Sequence, residues 1–537
     1  MITAAPTFDP VTLEVLWARL RSIVDEAAKV IVRTSFSTLS NEANDFSCVL
    51  TDVRGYSLAQ NTSSIPSFIA TLPATVRHFL REIGAANMKP GDVYITNDPW
   101  MGTGHLNDVC VVKPVFRKEH LVAFASTTAH VPDIGGRIRS AESREIFEEG
   151  FHIPLVHLMR AGVVDETLIT LLKTNVRTPE QTVGDIFAQV SALGMMESRL
   201  LDVLNDYALD DLVALADTLF GRAEGAMRDA IRAVPDGTYR YRMLADGLDA
   251  PFVFEVALTV QGDSISADFT GTSPQQPRAI NCVLAYTYAM TAYAIKAALL
   301  PQLPNNEGMF RPITAMAPEG CLLNPKFPAS CGGRSSTGHY VPTLIYGALE
   351  QVIPGKIIAG AGSPLWNITL SGVRADGKPF ASVLFFNGGM GATAIKDGES
   401  ATSWPSNISS TPSEISDRDS PLFTHYRQLR PGSGGAGTFR GGLGQDVLLQ
   451  NRHETPIAVI FLAERLRYPA PGACGGEPGG LGDVRINGMS VGDAKRQFIL
   501  NEGDTILIST PGGGGYGTPG ARAASLMERD NTLGYTE

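Results

Sequence analysis

Apolar and polar positions follow two periods along this chain, and these periods predict its helices and strands. Apolar residues recur at helical spacing over Pro10–Thr34, with the proline in the first turn, which predicts a helix. Two short apolar runs, Phe46–Thr51 and Tyr56–Gln60, flank a polar turn and predict a hairpin. Similar runs predict three more strands of one sheet, Asp92–Thr96, Val109–Phe116 and Leu121–Thr128.

Helical spacing returns at Leu72–Ile83 and over residues 178–234, with a break near Leu209–Asp211. Beyond residue 236 the pattern predicts strands, then buried helices near 285–300 and 339–352, then short strands between glycine-rich turns. We therefore expect an α+β fold of mixed sheets and packed helices. Its predicted domains are an α+β domain of residues 1–235 and a β-rich domain of residues 236–537.

Composition narrows the class of function. A chain of 537 residues is too long for one compact core, and 44% hydrophobic with 18% charged residues is typical of a folded protein. The net charge of −11 is spread without long runs of one sign, which argues against a nucleic-acid partner and favours small molecules. The 55 glycines and 34 prolines suit a loop-rich, β-rich C-terminal half.

The same reading predicts a cytoplasmic protein with no membrane segment. No apolar stretch approaches the roughly 20 residues of a spanning helix. The first ten residues lack the basic and apolar regions of a secretory signal. Six cysteines are scattered without a Cys-x-x-Cys pair, which is typical of reduced thiols.

Two histidine–aspartate pairs stand at predicted strand ends and suggest chemistry. Histidine is scarce, at nine residues, yet His105 precedes Asp108 and His130 precedes Asp133 by three positions each. Imidazole with carboxylate suits Zn²⁺, Mn²⁺ or Fe²⁺ with a position left for water. A single pair of this kind is usually only hydrogen bonded, whereas two pairs at neighbouring strand ends favour a metal. Asp98 and Asp133 are either orienters of ligand imidazoles or turn residues.

Nucleotide-binding motifs are missing from the sequence. Gly512–Gly515 resembles a phosphate-binding loop, but no Lys-Ser/Thr follows, so a structural turn is favoured. No Walker A sequence occurs anywhere in the chain. If ATP is used, we expect another chain to bind it.

A series of collinear motifs resembles the hydantoinase B family over nearly the whole chain. Its elements include Asn44-Asp-Phe-Ser-Cys48, Thr96-Asn-Asp-Pro-Trp100, Gly104-His-Leu-Asn-Asp108, Ala129-His-Val-Pro-Asp-Ile-Gly-Gly136 and Thr510-Pro-Gly-Gly-Gly-Gly-Tyr-Gly517. The family includes subunits of N-methylhydantoinases, caprolactamase and acetone and acetophenone carboxylases, and the C-terminal half of 5-oxoprolinase. One departure is that Ser67 and Phe68 stand where many oxoprolinase-like members carry a histidine, which argues against pyroglutamate as the substrate.

The resemblance implies a ligand set and a reaction. The implied ligands of one divalent metal, most simply Zn²⁺, are Asp45, His105, Asp108 and His130, which makes residues 1–235 the metal-binding domain. The implied activity is hydrolysis of a cyclic amide after a hydantoinase A-type partner subunit has phosphorylated it with ATP and Mg²⁺. We therefore expect a hetero-oligomer.

Three further residues are candidates for catalysis. Asp133 or Glu149 could orient water or act as general base, and Arg334 could bind the phosphate of an activated intermediate. An ordinary salt bridge is an equal alternative for Arg334. Two other functions stay open: a subunit of an ATP-dependent ketone carboxylase, and a structural subunit in which the metal only stabilises the fold.

Overall fold

The structure is a computed structural model that describes residues 8–137, 140–374 and 377–536. Its helices, numbered in chain order, are α1 Pro10–Thr34, α2 Thr38–Asn41, α3 Phe68–Ile83, α4 Ile146–Glu149, α5 Glu166–Asn175, α6 Pro179–Asp206, α7 Val213–Arg232, α8 Leu284–Leu299, α9 Glu307–Phe310, α10 Ser335–Gly338, α11 Val341–Leu349, α12 Ser413–Asp419 and α13 Ala524–Thr532.

The strands, numbered in the same way, are β1 Phe46–Thr51, β2 Ser57–Gln60, β3 Val93–Thr96, β4 Asp108–Arg117, β5 His120–His130, β6 Val156–Arg160, β7 Val163–Val164, β8 Gly237–Ala245, β9 Phe252–Gln261, β10 Ser264–Asp268, β11 Ile313–Met316, β12 Trp366–Val373, β13 Pro379–Phe386, β14 Leu422–Leu429, β15 Gln445–Asn451, β16 Ile457–Leu462, β17 Asp483–Ile486, β18 Met489–Ser490, β19 Gln497–Leu500 and β20 Thr505–Ser509. The fold is α+β, as the sequence predicts.

A seven-stranded antiparallel sheet organises the N-terminal part, in the order β2-β1-β5-β4-β3-β6-β7. Alternation places Val93 and Ile95 in a core with α1, α6 and α7 on one face, and Tyr94 in a core with α3 on the other. Both faces of the sheet are therefore covered. Three smaller sheets follow, in the orders β11-β10-β9-β8, β13-β12-β16-β19 and β14-β15-β20-β17-β18.

Local chemistry explains where α1 begins. The side chain of Asp9 accepts hydrogen bonds from the backbone nitrogens of Val11 and Thr12, and Pro10 occupies the first turn. The predicted bounds of α1 are confirmed. Helix α3 instead begins at Phe68, four residues before the predicted Leu72, and it includes Pro73 in its second turn.

The predicted boundary near residue 235 stays a prediction. Helix α7 contributes Ala223, Met227 and Ile231 to the core that also holds β8, β9 and β10, so one core crosses that position. The two predicted helices near 285–300 and 339–352 correspond to α8 and α11, and the second begins two residues late.

No helix among the described residues is both long enough and apolar enough to cross a membrane. Residues 1–7, which include most of the segment that lacks a secretory signal, lie outside the described ranges. All six cysteines are free.

Candidate metal centre

Four predicted ligands lie together at the ends of three neighbouring strands of the large sheet. Strands β4 and β5 form a hairpin in which Asp108 pairs directly with His130. Strand β1 lies on the other side of β5, and the backbone nitrogen of His130 donates to the carbonyl oxygen of Asp45 at 2.9 Å. His105 lies in the loop that enters β4. Three neighbouring strand ends therefore bring the four side chains to the same cavity.

The ligand atoms of three of these residues converge. Nε2 of His105 lies 2.6 Å and Nδ1 of His130 lies 3.0 Å from the same oxygen, Oδ1 of Asp108. These three atoms all lie within 4.8 Å of one another, and the three residues are buried. Oδ2 of Asp45 lies 4.0 Å from Nδ1 of His130. A tetrahedral ion with bonds near 2 Å holds its ligand atoms roughly 3.3 Å apart. The distances between the ligand atoms here, from 2.6 to 4.0 Å, lie on both sides of that value.

The other nitrogen of His105 shows how its ring is oriented. Nδ1 lies 3.0 Å from the carbonyl oxygen of Gly332, which only accepts hydrogen bonds, so Nδ1 carries a proton. A ligand histidine almost always donates its second ring N–H to such a group. Nε2 lies 2.6 Å from Oδ1 of Asp108, and one divalent cation shared by these two atoms would satisfy both. The residues present therefore fit a divalent cation.

The charge on Asp108 is set by its neighbours. Burial alone would raise its pKa, but the guanidinium of Arg334 and the two imidazoles hold the pKa well below its ordinary value. Oδ2 of Asp108 accepts hydrogen bonds from Nη2 of Arg334 and, at 2.6 Å, from the hydroxyl of Thr103. Asp108 is therefore ionised at neutral pH, and its Oδ1 faces both imidazoles.

The convergence point opens on a cavity of about 30 Å³. Beside the four predicted ligands it is lined by Ile65, Ser67, Phe68, Tyr286, Arg334, Ser335, His339, Leu365, Phe385, Ser406 and Ile408. Residues beyond the predicted N-terminal domain thus complete the site. The departure from the oxoprolinase-like pattern, Ser67 and Phe68, lies in the cavity wall.

Arg334 lines the cavity, and two nitrogens of its guanidinium donate hydrogen bonds. Besides the pair with Asp108, its Nε donates to the carbonyl oxygen of Thr103 at 2.8 Å. Its guanidinium lies 4.6 Å from the ring centre of Tyr286, within cation–π range. This geometry supports the salt-bridge alternative more directly than phosphate binding.

Asp133 and Glu149 do not line the cavity, as far as the described residues show. Asp133 accepts hydrogen bonds from the backbone of Gly135 and from the backbone and guanidinium of Arg177. Glu149 accepts from the backbone nitrogens of Cys331 and Gly332 and from the hydroxyl of Ser330. Both carboxylates hold loops beside the site, and a role as general base stays a prediction without geometric support.

His339 and Ser335 also line the cavity, and neither was predicted from the sequence as a site residue. They stand four residues apart, and the backbone nitrogen of His339 donates to the carbonyl oxygen of Ser335 at 3.2 Å, so one helical turn presents both to the cavity. Nδ1 of His339 accepts from the backbone nitrogen of Leu365 at 3.3 Å, which places the proton of the neutral ring on Nε2. The scarcity of histidine was the signal that could have singled out His339.

An apolar cluster separates the small cavity from a larger one of about 610 Å³. Ile65, Phe68, Leu365, Phe385 and Ile408 of this cluster line the small cavity, whereas its members Leu39 and Val383 line the large one. The cluster thus keeps the two cavities apart by one apolar layer.

The chain matches known proteins along almost its full length. A sequence model of the family described as Hydantoinase B/oxoprolinase matches residues 9–519. A protein of Pseudomonas sp. (strain NS671), named as one subunit of a D-/L-hydantoinase, is 30% identical, over 98% of this chain and 93% of that protein.

Two solved structures share the fold. The crystal structure of the ATP-dependent caprolactamase from Pseudomonas jessenii has a TM-score of 0.88 and 27% identity, covering 99% of this chain and 95% of that chain. A nucleotide-free structure of acetone carboxylase has a TM-score of 0.89 and 19% identity, covering 98% of this chain and 78% of that chain. The second likeness is one of fold alone.

Proposed function

Because this chain belongs to the hydantoinase B/oxoprolinase family, we propose that it is the metal-carrying subunit of an ATP-dependent enzyme that hydrolyses a cyclic amide. Its partner would be a hydantoinase A-type ATPase subunit that uses ATP and Mg²⁺ to activate the amide. The names of the relatives, a hydantoinase subunit and an ATP-dependent caprolactamase, support this reaction class and a hetero-oligomer.

The observation that carries the proposal is the convergence of His105, His130 and Asp108 on one point in a buried cavity. Asp45 would complete the set of four ligands. Two imidazoles with two carboxylates suit Zn²⁺ best, and Mn²⁺ or Fe²⁺ also accept this donor set. Bound there, a divalent ion would lower the pKa of a water molecule and polarise the amide carbonyl.

The chain's own residues prepare that site. Arg334 and Thr103 keep Asp108 ionised and fix its orientation. The carbonyl of Gly332 fixes the proton of His105 on Nδ1, so that Nε2 faces the centre. The apolar wall that includes Phe68 and Phe385 excludes bulk water, which strengthens every charge interaction inside.

Metal analysis of the purified chain tests the proposal first. We expect about one equivalent of Zn, Mn or Fe in the wild type, and loss of that metal in His105→Ala. His425→Ala is the matched control, because His425 is an exposed histidine whose hydrogen bond is to Gln450, away from the site. Equal metal in wild type and His105→Ala would contradict the ligand assignment.

Reconstitution with a hydantoinase A-type partner then tests the reaction. We expect ATP turnover that depends on a lactam or hydantoin and leaves bicarbonate without effect. Turnover that requires bicarbonate and a ketone would instead assign the chain to the carboxylase branch. Full activity in a metal-free His105→Ala complex would leave the metal with a structural role only.

A further inference from the structure

The metal cavity is too small to hold a substrate ring. Its volume of about 30 Å³ admits water molecules but no organic ring. Small-molecule sites usually measure about 300–1,000 Å³. The body of any organic ligand must therefore lie in an adjoining space when its reactive group faces the metal centre.

A cavity of about 380 Å³ adjoins the metal cavity through a wall one chain thick. Along residues 64–67, Ser64 and Pro66 line the larger cavity, whereas Ile65 and Ser67 line the metal cavity. The same alternation occurs over residues 403–408, where only Ser406 and Ile408 line the metal cavity. Since neighbouring residues face different cavities, the backbone of these two segments runs between them.

The two wall segments are held to each other. Between the segments, Nδ2 of Asn407 donates to the carbonyl oxygen of Ser64 at 3.3 Å. Within the second segment, the hydroxyls of Ser403 and Ser406 share a hydrogen bond of 2.6 Å. The first segment is also tied to β1, because the backbone nitrogen of Ile65 donates to the hydroxyl of Ser47 at 3.3 Å. A single backbone layer, anchored to the sheet that carries the predicted ligands, therefore divides the two cavities.

The chemistry of the larger cavity suits an uncharged polar ring. Its described lining includes the aromatic residues Tyr293 and Trp404 and the amides of Gln60, Asn305 and Asn407. Lys296 is the one charged residue of that lining, and its Nζ donates to the carbonyl oxygen of Pro301 at 2.9 Å. The lining therefore offers a ligand one ammonium group among otherwise uncharged polar and aromatic side chains.

Two acceptors in this lining lack donors. Gln60 is only 8% exposed and its Oε1 has no hydrogen-bond partner, and the same holds for Oδ1 of Asn305. A buried acceptor without a partner is unfavourable by about 1–3 kcal/mol. A ligand that donates an N–H to this acceptor removes that cost and binds more tightly. The last torsion of an amide side chain turns over a broad minimum, which lets Gln60 present its oxygen to the cavity.

We propose that this cavity binds a cyclic amide or ureide, with the ring beside Trp404 and its N–H donated to Oε1 of Gln60. That the ring is also the substrate rests on the proposed function, whereas its binding here does not. The 610 Å³ cavity is a poorer candidate for an uncharged ring, because its lining is rich in charged side chains, among them Arg177, Glu180, Arg374, Lys378, Arg418 and Asp419.

Calorimetric titration of the full chain tests the proposal with hydantoin, 2-piperidone and N-methyl-2-piperidone as probes. We expect saturable binding of the two rings that carry an N–H, unchanged after the metal is removed with a chelator. Gln60→Leu should weaken that binding about tenfold and leave the N-methyl ring unaffected. The variant should fold, because it removes an acceptor that has no partner.

Asn367→Leu is the matched control, since Asn367 is a buried amide whose side chain lacks partners and lies outside this cavity. It should bind as the wild type does. Absence of saturable binding, equal binding by Gln60→Leu, or binding that requires the metal would each overturn the proposal. Ring binding by a chain that retains no metal would support the site while contradicting the proposed function.

Discussion

The carboxylate of Glu149 accepts a hydrogen bond from the backbone nitrogen of Gly332 at 2.7 Å. The carbonyl oxygen of Gly332 in turn lies 3.0 Å from Nδ1 of His105. One glycine peptide segment thus connects a buried carboxylate to a predicted ligand. Glu149 acts on the orientation of His105 through the loop that holds Gly332, while the carboxylate itself stays outside the cavity lining.

Glu149→Gln should remove a pH dependence of stability. Burial raises the pKa of Glu149 to about 7 from 4.5, although hydrogen bonds from Ser330, Gly332 and Cys331 oppose the rise. Because the folded pKa is the higher one, the carboxyl favours the folded state fully below pH 4.5 and loses this contribution as the pH rises towards 7.

Urea unfolding across this pH range measures the effect. We expect the free energy of unfolding of the wild type, relative to Glu149→Gln, to fall by about 3 kcal/mol from the acidic to the neutral end. Glu148→Gln is a suitable control, since Glu148 is a half-buried neighbour on α4. Parallel curves for wild type and Glu149→Gln would contradict the prediction.

Asp133→Asn should destabilise the fold and leave the metal in place. Asp133 is fully buried, and its oxygens accept hydrogen bonds from the backbone nitrogen of Gly135 and from the guanidinium of Arg177. The neutral amide of the variant loses the charge-assisted contact with Arg177, which is worth about 2 kcal/mol. Metal analysis and thermal unfolding of the same preparation separate the two effects. A variant of unchanged stability that loses only turnover would restore Asp133 as a candidate general base.

The geometry at these strand ends was largely predictable from sequence, because β4 and β5 are consecutive strands that pair with each other. The apolar runs Val109–Phe116 and Leu121–Thr128, on either side of Lys118, predict a hairpin. Such a hairpin brings Asp108 opposite His130. Asp45 lies just before β1, a strand more distant in sequence, so only the family resemblance predicted its place. Local periodicity carries no information on pairings of that kind.

The rest of the site depends on contacts between distant segments. Arg334 meets Asp108 across 226 positions, and neither the short helix α10 nor its flanks show a period that predicts the meeting. His339 reaches the cavity by the same helical turn. The tertiary packing of α8 and the loop at 325–334 decides these positions, which a one-dimensional pattern does not encode.

Gly104→Ala should weaken metal binding through Arg334. Gly104 has φ of +108°, and an added Cβ would lie 2.6 Å from Cδ of Arg334, so the guanidinium must shift from Asp108. Gly162→Ala is the matched control, because Gly162 has φ of +86° with nothing within 4 Å of an added Cβ. Both variants carry backbone strain of about 1 kcal/mol, but only Gly104→Ala should lose metal in equilibrium dialysis. Equal metal retention would show that the loop absorbs the methyl group.

Arg334 variants should move the pH at which metal is released. The guanidinium, with the two imidazoles, holds the pKa of Asp108 well below its ordinary range against the effect of burial, so protons compete poorly for that oxygen. Arg334→Gln removes the positive charge and should raise the pH at which half of the metal is released. Arg334→Lys keeps the charge but lacks the fork geometry, so its pH of half-release should lie between those of the wild type and Arg334→Gln.

Metal retained after dialysis at a series of acidic pH values measures the order of the three proteins. The expected order of half-release is wild type lowest, then Arg334→Lys, then Arg334→Gln. Arg177→Gln is the control, since Arg177 pairs with the buried Asp133 outside the metal cavity. If all four proteins release metal at one pH, Asp108 does not depend on Arg334, and the guanidinium is available for the phosphate of an activated intermediate, the role first predicted for it.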